Sequence, residues 1–142
     1  IKLNTIIMHK QRSYIKANTI EKSIIIQENG NGDYKNSQGK TAIICDDIAD
    51  TCGTLISVIN ELVNHNITNI ICVITHGIFS KDALEKVNNC KYIEKIYVSD
   101  SIPQEENKKL CPKLEVFTLS LLLSDVIERI ITRKPISELF VL

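Results

Sequence analysis

Short apolar runs alternate with segments of helical period along the chain after residue 40. Continuous apolar runs at 41–45, 69–75, 93–99 and 114–118 predict short buried strands. One helical stripe consists of Leu55, Val58, Ile59, Leu62 and Val63, and a second consists of positions 119, 122, 123, 126, 127, 130 and 131. A shorter helix is predicted at 80–87, with Ser80 as a candidate N-cap. This order predicts an α/β fold with a mostly parallel sheet and helices on both faces.

The first forty residues have a less regular pattern. Apolar runs at 5–8 and 23–27 are strand candidates, and the polar segment between them is predicted to be a loop or ribbon. Asn, Gly, Asp and Ser are concentrated at 28–40, which indicates a turn-rich surface excursion.

Composition restricts the class of protein. A chain of 142 residues with 44% hydrophobic residues predicts one domain over residues 1–142. The formal net charge of zero argues against nucleic acid or an anionic membrane as a partner, and no apolar run reaches bilayer-spanning length. The five cysteines lack metal-finger spacing, and their odd number favours a reducing compartment, so we expect a cytoplasmic protein.

The segment "CDDIADTCGT" at 45–54 is the strongest candidate for chemistry. It lies where a predicted strand passes into a predicted helix, and ligands of open α/β sheets bind beyond the carboxyl ends of the strands. Free N–H groups at the helix start, two threonine hydroxyls and Gly53 suit a phosphate; Gly53 would allow close approach and a positive φ. "DD" alone is typical of a solvated strand end and "TCGT" of an ordinary turn, but their combination favours a binding site.

The acidic residues of the segment extend this interpretation. Asp46 and Asp47 accept hydrogen bonds when ionised and therefore suit the vicinal hydroxyls of a sugar whose phosphate lies at the helix start. Asp50 could cap N–H groups, orient a threonine or meet a metal carried by the substrate. The predicted ligand is a sugar phosphate.

These residues carry a family resemblance. "ICDDIADTCGTL" resembles the phosphoribosyl-diphosphate-binding signature of ribose-phosphate diphosphokinases, which are similar in fold to type I phosphoribosyltransferases. "HKQR" at 9–12, "VITHGIFS" at 73–80, "IYVSDSIP" at 96–103 and "ISELF" at 136–140 resemble segments of that family in the same order. The resemblance covers nearly the whole chain.

The resemblance implies transfer of the diphosphoryl group of ATP to the C1 hydroxyl of ribose 5-phosphate, with Mg²⁺ as cofactor and unknown metal ligands. It implies that Asp46 and Asp47 hold the ribose hydroxyls. It also implies that five consecutive residues hold the 5-phosphate: Asp50, Thr51, Cys52, Gly53 and Thr54.

Two further groups of residues are assigned by the resemblance alone. Lys10 and Arg12 match catalytic cations on a mobile flap, supported by His9, whereas "HKQRSYIK" in isolation is typical of a solvated basic turn. Ser137 and Phe140 match an effector site between subunits of a hexamer built from dimers, with Pro135 where a second hydroxyl is expected. The alternative is that "ISELF" only caps the last helix and packs Leu139 and Phe140 into the core. His76 and Ser80 could line the cleft but are not assigned to catalysis.

The chain is expected to be the carboxyl-terminal half of a longer enzyme. Family members are about twice as long in this comparison, and the strand and loop expected before residue 1, together with an ATP-binding half, are not in this sequence, so the chain alone is expected to be inactive. Two alternatives are a non-catalytic associated subunit, expected to lack the phosphate-binding residues, and a phosphoribosyltransferase, expected to lack "SDSIP" and "ISELF". A receiver-type signalling domain lacks support because no lysine follows a later strand in the required context.

Overall fold

The computed structural model describes the backbone of residues 7–12, 20–26 and 39–140 and the side chains of 39–139. The elements in chain order are β1 Ile7–Arg12, β2 Ile20–Ile26, β3 Thr41–Ala49, α1 Gly53–Asn64, β4 Asn69–Gly77, α2 Ala83–Asn89, β5 Ile93–Ser99, α3 Glu105–Leu110, β6 Leu114–Phe117, α4 Ser120–Ile131 and a 3₁₀ turn at Ser137–Phe140. Among the described residues, no helix is long and apolar enough to cross a membrane.

The main sheet has four parallel strands in the order β3-β4-β5-β6. Each strand lies beside its sequence neighbour, and a helix connects each pair, as expected for strands of 4–9 residues separated by helical segments. The predicted α/β class with a parallel sheet is confirmed.

The hydrophobic core lies between one face of this sheet and the helices. Alternate strand residues such as Ile70, Cys72 and Ile74 are buried against α1 and α2, whose Ile59 and Val87 are fully buried. Complete burial of an isoleucine of this kind contributes roughly 1.5–3 kcal/mol relative to exposure. The stripe predicted on the helix after residue 55 is therefore the face that packs on the sheet.

The opposite face of the sheet is open in the described part of the chain. Ile43 is 59% exposed, and Tyr97 and Phe117 are more than one third exposed. Helix α4 has the apolar stripe predicted from the sequence but no buried residue, and its Leu123, Ile127 and Ile130 are all more than half exposed. Within residues 39–139, the helical layer thus covers one face, and coverage of the second face stays a prediction.

The amino-terminal strands form a separate antiparallel ribbon. β1 pairs with β2 from Ile7 opposite Ile26 to Arg12 opposite Ile20, with an irregularity between Gln11 and Arg12. The strands are displaced from the predicted 5–8 and 23–27, and the ribbon places much of the predicted polar segment within strands. Most of the predicted excursion at 28–40 lies outside the described residues.

Two helices differ from the sequence prediction. α2 begins at Ala83, after Asp82, so Ser80 is not its N-cap. α3 at Glu105–Leu110 was not predicted, because its six residues show no apolar stripe and none of them is buried.

Candidate functional site

A left-handed residue connects β3 to α1. Cys52 has φ 56° and precedes Gly53, the first helical residue, and the carbonyl of Cys52 accepts the N–H of Ile56 at 3.0 Å. No side chain caps this helix start. The N–H groups in the first turn of α1 are therefore not bound by a capping side chain. They lie at the carboxyl edge of the sheet, where an anion can accept hydrogen bonds from them.

The glycine of the segment does not supply the positive φ. The positive φ belongs to Cys52, and a Cβ placed on Gly53 would meet only the Oγ1 of Thr51, at 3.7 Å. The tolerance of Gly53 for a positive φ is therefore not used in this turn. Gly53 is exposed, so its remaining role would be to let a ligand approach the backbone closely.

Cys52 offers its backbone rather than its side chain. The thiol is part of the core, and burial raises its pKa to about 11, against an opposing effect of the Lys86 ammonium. The thiol is therefore neutral at physiological pH and does not repel an anion. If Cys52 contacts a phosphate, the contact is through its N–H group.

Asp46 and Asp47 belong to the strand itself. β3 continues to Ala49, beyond the predicted end at residue 45, and Asp46 lies opposite Ile74 in the β3–β4 register. Consecutive strand residues point to opposite faces, so the half-buried Asp46 and the exposed Asp47 are not equivalent. The Oδ1 of Asp46 accepts the backbone N–H of Asp47 at 3.1 Å.

The remaining residues of the segment lie in the turn and first helical turn. Asp50 is exposed, whereas Thr51 and Thr54 are half-buried on either side of Cys52. The structure thus brings the five predicted phosphate-binding residues to one turn, and brings Asp46 and Asp47 to the adjoining strand end.

The neighbouring strand ends add polar groups that sequence reasoning did not assign. His76 Nδ1 lies 2.8 Å from Ser101 Oγ, and the hydroxyls of Ser99 and Ser101 donate to the Thr75 carbonyl at 2.6 and 3.1 Å. These residues belong to "THG", the last three residues of β4, and to "SDS", which begins at the last residue of β5. The signal was the clustering of hydroxyl, acid and imidazole groups at two strand ends, which meet at one edge of a parallel sheet.

The other predicted residues lie farther along the chain. Lys10 and Arg12 are in β1, opposite Ser23 and Ile20, and their side chains are outside the described set. Ser137 is exposed at the start of the 3₁₀ turn; the side chain of Phe140 is also outside the described set. Arg129 of α4 holds this turn by donating to the Pro135 carbonyl at 2.9 Å and to Glu138 at 2.8 Å.

The described residues contain no group of three or more His, Cys, Asp or Glu side chains that could hold a metal ion. Magnesium usually takes only one or two protein carboxylates and completes its shell with water and substrate phosphates. A magnesium ion at this edge would therefore depend on a bound phosphate compound for several of its oxygens.

A parallel sheet with a strand, turn and open helix start at its carboxyl edge defines an α/β protein with a candidate anion-binding site. Residues 32–141 match the family model of the phosphoribosyl synthetase-associated domain, and the chain belongs to this family. The phosphoribosylpyrophosphate synthetase from Mycobacterium smegmatis has a similar crystal structure, with 26% sequence identity and a TM-score of 0.67. The similarity covers 90% of this chain and 37% of that one, so the chain spans little more than a third of the length of that synthetase.

Proposed function

We propose that the chain is the ribose 5-phosphate-binding part of a ribose-phosphate diphosphokinase, which makes phosphoribosyl diphosphate and AMP from ATP and ribose 5-phosphate. The observation that carries the proposal is the Cys52 turn, which opens the first-turn N–H groups of α1 beside two carboxylates at the carboxyl edge of the sheet. The family membership and the similarity to a synthetase structure support it.

The chemistry requires positioning more than covalent help. The C1 hydroxyl oxygen of the sugar bonds to the β-phosphorus of ATP and loses its proton to water. The bond from that phosphorus to the oxygen shared with the α-phosphate breaks, and AMP leaves with that oxygen. In such transfers, holding the acceptor in line with the leaving group supplies much of the rate. Residues 50–54 would hold the 5-phosphate, and the carboxylates of Asp46 and Asp47 would hold the ribose ring. The C1 hydroxyl would then point to the nucleotide.

Several parts of the proposal depend on the longer enzyme. ATP would bind outside the site described above, and Mg²⁺ would neutralise the charge of the transferring phosphates when bound. Assembly into a hexamer built from dimers and a cytoplasmic location are also proposals. The five cysteines are all free, which suits a reducing compartment.

A non-catalytic associated subunit is the second candidate, favoured by the description of the matched family as a synthetase-associated domain. Such a subunit is expected to have lost the phosphate-binding residues, whereas Thr51, Gly53 and Thr54 are all present. Ribose 5-phosphate binding separates the two candidates.

The test is a calorimetric titration of the 142-residue chain with ribose 5-phosphate, with ribose and inorganic phosphate as matched ligands, together with a ¹⁵N–¹H NMR titration. We expect ribose 5-phosphate to bind more tightly than either part alone and to shift the amide resonances of residues 50–54 first. Absence of binding, or shifts centred elsewhere, would contradict the proposal and favour the associated subunit.

A further inference from the structure

The turn that leads into α1 is held from behind by the segment after β4. The Ala49 carbonyl accepts the N–H groups of Ile78 and Phe79 at 2.9 and 3.0 Å, and the Asp50 carbonyl accepts the N–H of Ser80 at 3.0 Å. The next carbonyl, that of Thr51, accepts the Lys86 ammonium at 3.1 Å. Three successive carbonyls are thus bound by residues 78–80 and 86.

The direction of these carbonyls sets the direction of the following N–H groups. In a trans peptide unit, which is planar, C=O and N–H point to opposite sides, and the chain has no cis peptide bond among its described residues. The N–H groups of Asp50, Thr51 and Cys52 therefore point away from the supporting segment. Successive N–H groups with a common direction form an anion-binding concavity.

The supporting segment is itself tightly constrained. A Cβ on Gly77 would clash with the Phe79 ring and lie 2.7 Å from Val98, and Phe79 is a buried residue with φ 51°. The buried Gln104 amide donates to the Gly77 carbonyl at 2.7 Å. This packing gives the backbone donors of residues 78–80 a defined position.

Lys86 is the only side chain among these donors to the turn, as far as the described residues show. Its ammonium also pairs at 2.8 Å with Asp82, the residue that precedes α2, and the Lys86 side chain is 36% exposed. The Asp82 pair limits the positions that the ammonium can take, and a charged donor makes a stronger hydrogen bond to a carbonyl than a neutral one.

We propose that Lys86 is a positioning residue for the phosphate site, because its hold on the Thr51 carbonyl turns the Cys52 N–H toward the bound anion. The inference rests on the proposed function, since ribose 5-phosphate supplies that anion. Lys86 contacts the turn and not the ligand, so its removal should misdirect one N–H donor while the rest of the site persists.

The test compares Lys86→Met, Lys86→Arg and Lys113→Met in the full 142-residue chain. Lys113 is a matched control, because its ammonium also holds backbone carbonyls, those of Val87, Asn88 and Cys90 at 2.7–3.2 Å, but not those of the turn. Each variant is titrated with ribose 5-phosphate and, separately, with inorganic phosphate, and the ligand-induced shift of the Cys52 amide is recorded.

We expect Lys86→Met to weaken ribose 5-phosphate binding about tenfold and to reduce the Cys52 amide shift. Lys86→Arg should restore most of the affinity, and Lys113→Met should bind like wild type. Equal affinity of Lys86→Met and wild type, or equal losses in Lys86→Met and Lys113→Met, would overturn the inference. If Lys86→Met does not fold, Lys86→Gln replaces it, because its neutral amide ends one bond short of the ammonium position.

The outcomes for wild type separate this inference from the proposed function. If wild type binds ribose 5-phosphate no more tightly than inorganic phosphate, the proposed substrate is wrong. The effect of the Lys86 variants is then judged from their affinity for inorganic phosphate. If wild type binds neither ligand, there is no anion site for Lys86 to position, and both proposals fail.

Discussion

At the residue scale, the alternation of a strand makes Asp46 and Asp47 different despite their adjacency. Asp47 is exposed, whereas Asp46 is half-buried and accepts the N–H of Asp47. A substitution at Asp47 should therefore act on the ligand, and one at Asp46 on local structure as well.

We expect Asp47→Ala to weaken ribose 5-phosphate binding strongly, because each hydrogen bond to a charged group contributes ~1.5–3 kcal/mol. The measurement is calorimetric affinity, with melting temperature recorded in parallel. Glu94→Ala, an exposed carboxylate at the start of β5, is the control for the change in net charge. An unchanged affinity in Asp47→Ala would remove this residue from the site.

The buried thiols predict a dependence of stability on alkaline pH. Burial raises the pKa of Cys52 to about 11 and that of Cys72 to about 12, from the ordinary thiol value of 9.0. A thiol whose pKa is higher in the folded state than in the unfolded state stabilises the fold. This stabilisation is complete below the pKa of the unfolded state and is lost as pH rises through the pKa of the folded state. The contribution of these thiols to the free energy of unfolding should therefore be constant below about pH 9 and decrease above it.

Above about pH 9, each thiol should lower the free energy of unfolding by up to about 1.4 kcal/mol per pH unit. Urea denaturation under reducing conditions at several pH values between 8 and 11 measures it. Cys72→Ala should be less stable at pH 8 because of the cavity, yet lose less stability with rising pH than wild type. Parallel pH curves for the two proteins would show that the Cys72 thiol does not titrate on unfolding.

At the scale of elements, the β1–β2 ribbon carries the two predicted flap cations on one strand. Their backbone positions in β1 are described, and their part in catalysis stays a prediction from the family resemblance. A ribbon that closes over the site would bring the cations to the transferring group mainly in the closed state.

In a full-length enzyme that contains this sequence, Lys10→Ala should lower kcat far more than it raises KM, because interactions made only in the transition state act on kcat. Steady-state kinetics with ATP and ribose 5-phosphate measure both constants. Lys22→Ala, which alters a cation on the paired strand, is the control. A large rise in KM with unchanged kcat would make Lys10 a binding residue.

The carboxyl-terminal turn is connected to α4 by Arg129, whose side chain also binds Asp125 at 2.9 Å. This contact supports the structural role of "ISELF", and it leaves the Ser137 side chain exposed. Proline at position 135 offers neither a hydroxyl nor an N–H, so an effector site here should be weakened but not abolished.

For the same full-length enzyme, Ser137→Ala should flatten the dependence of rate on inorganic phosphate, because one anion ligand is lost. Rates across a phosphate series measure it, with Ser124→Ala on exposed α4 surface as control. If the Ser137→Ala and wild-type curves coincide at equal thermal stability, the turn has no effector role through this residue.

At the scale of the whole molecule, the chain spans 37% of the similar synthetase. In the described part of the chain, one sheet face is open and two helices, α3 and α4, have no buried residue. Diphosphoryl transfer needs both substrates held in line, and the proposed site would hold only one of them.

The purified 142-residue chain should therefore release no AMP from ATP and ribose 5-phosphate above a blank, while still binding the sugar phosphate. A coupled or chromatographic AMP assay with magnesium present measures it. AMP release above the blank that is lost in Asp47→Ala would show that this length of chain is sufficient for catalysis.

The sequence by itself determined the order of the four parallel strands and of α1, α2 and α4, but not α3. It also determined the face of α1 that is buried and the turn that carries the candidate site. Apolar period and turn chemistry are local properties, readable within a window of a few residues. The same local reading misplaced the end of β3 and the left-handed residue, since it could not weigh β3–β4 pairing or see that Cys52, and not Gly53, takes positive φ.

Only the tertiary structure decided how that turn is supported. Lys86 and Thr51 are 35 positions apart, and the Gly77 carbonyl meets Gln104 across 27 positions. The structure also showed that the regular apolar stripe of α4 has no buried residue in the described chain. Such contacts depend on which elements become neighbours in the folded chain. A periodic pattern indicates that one face of a helix is apolar, but it does not indicate which element covers that face.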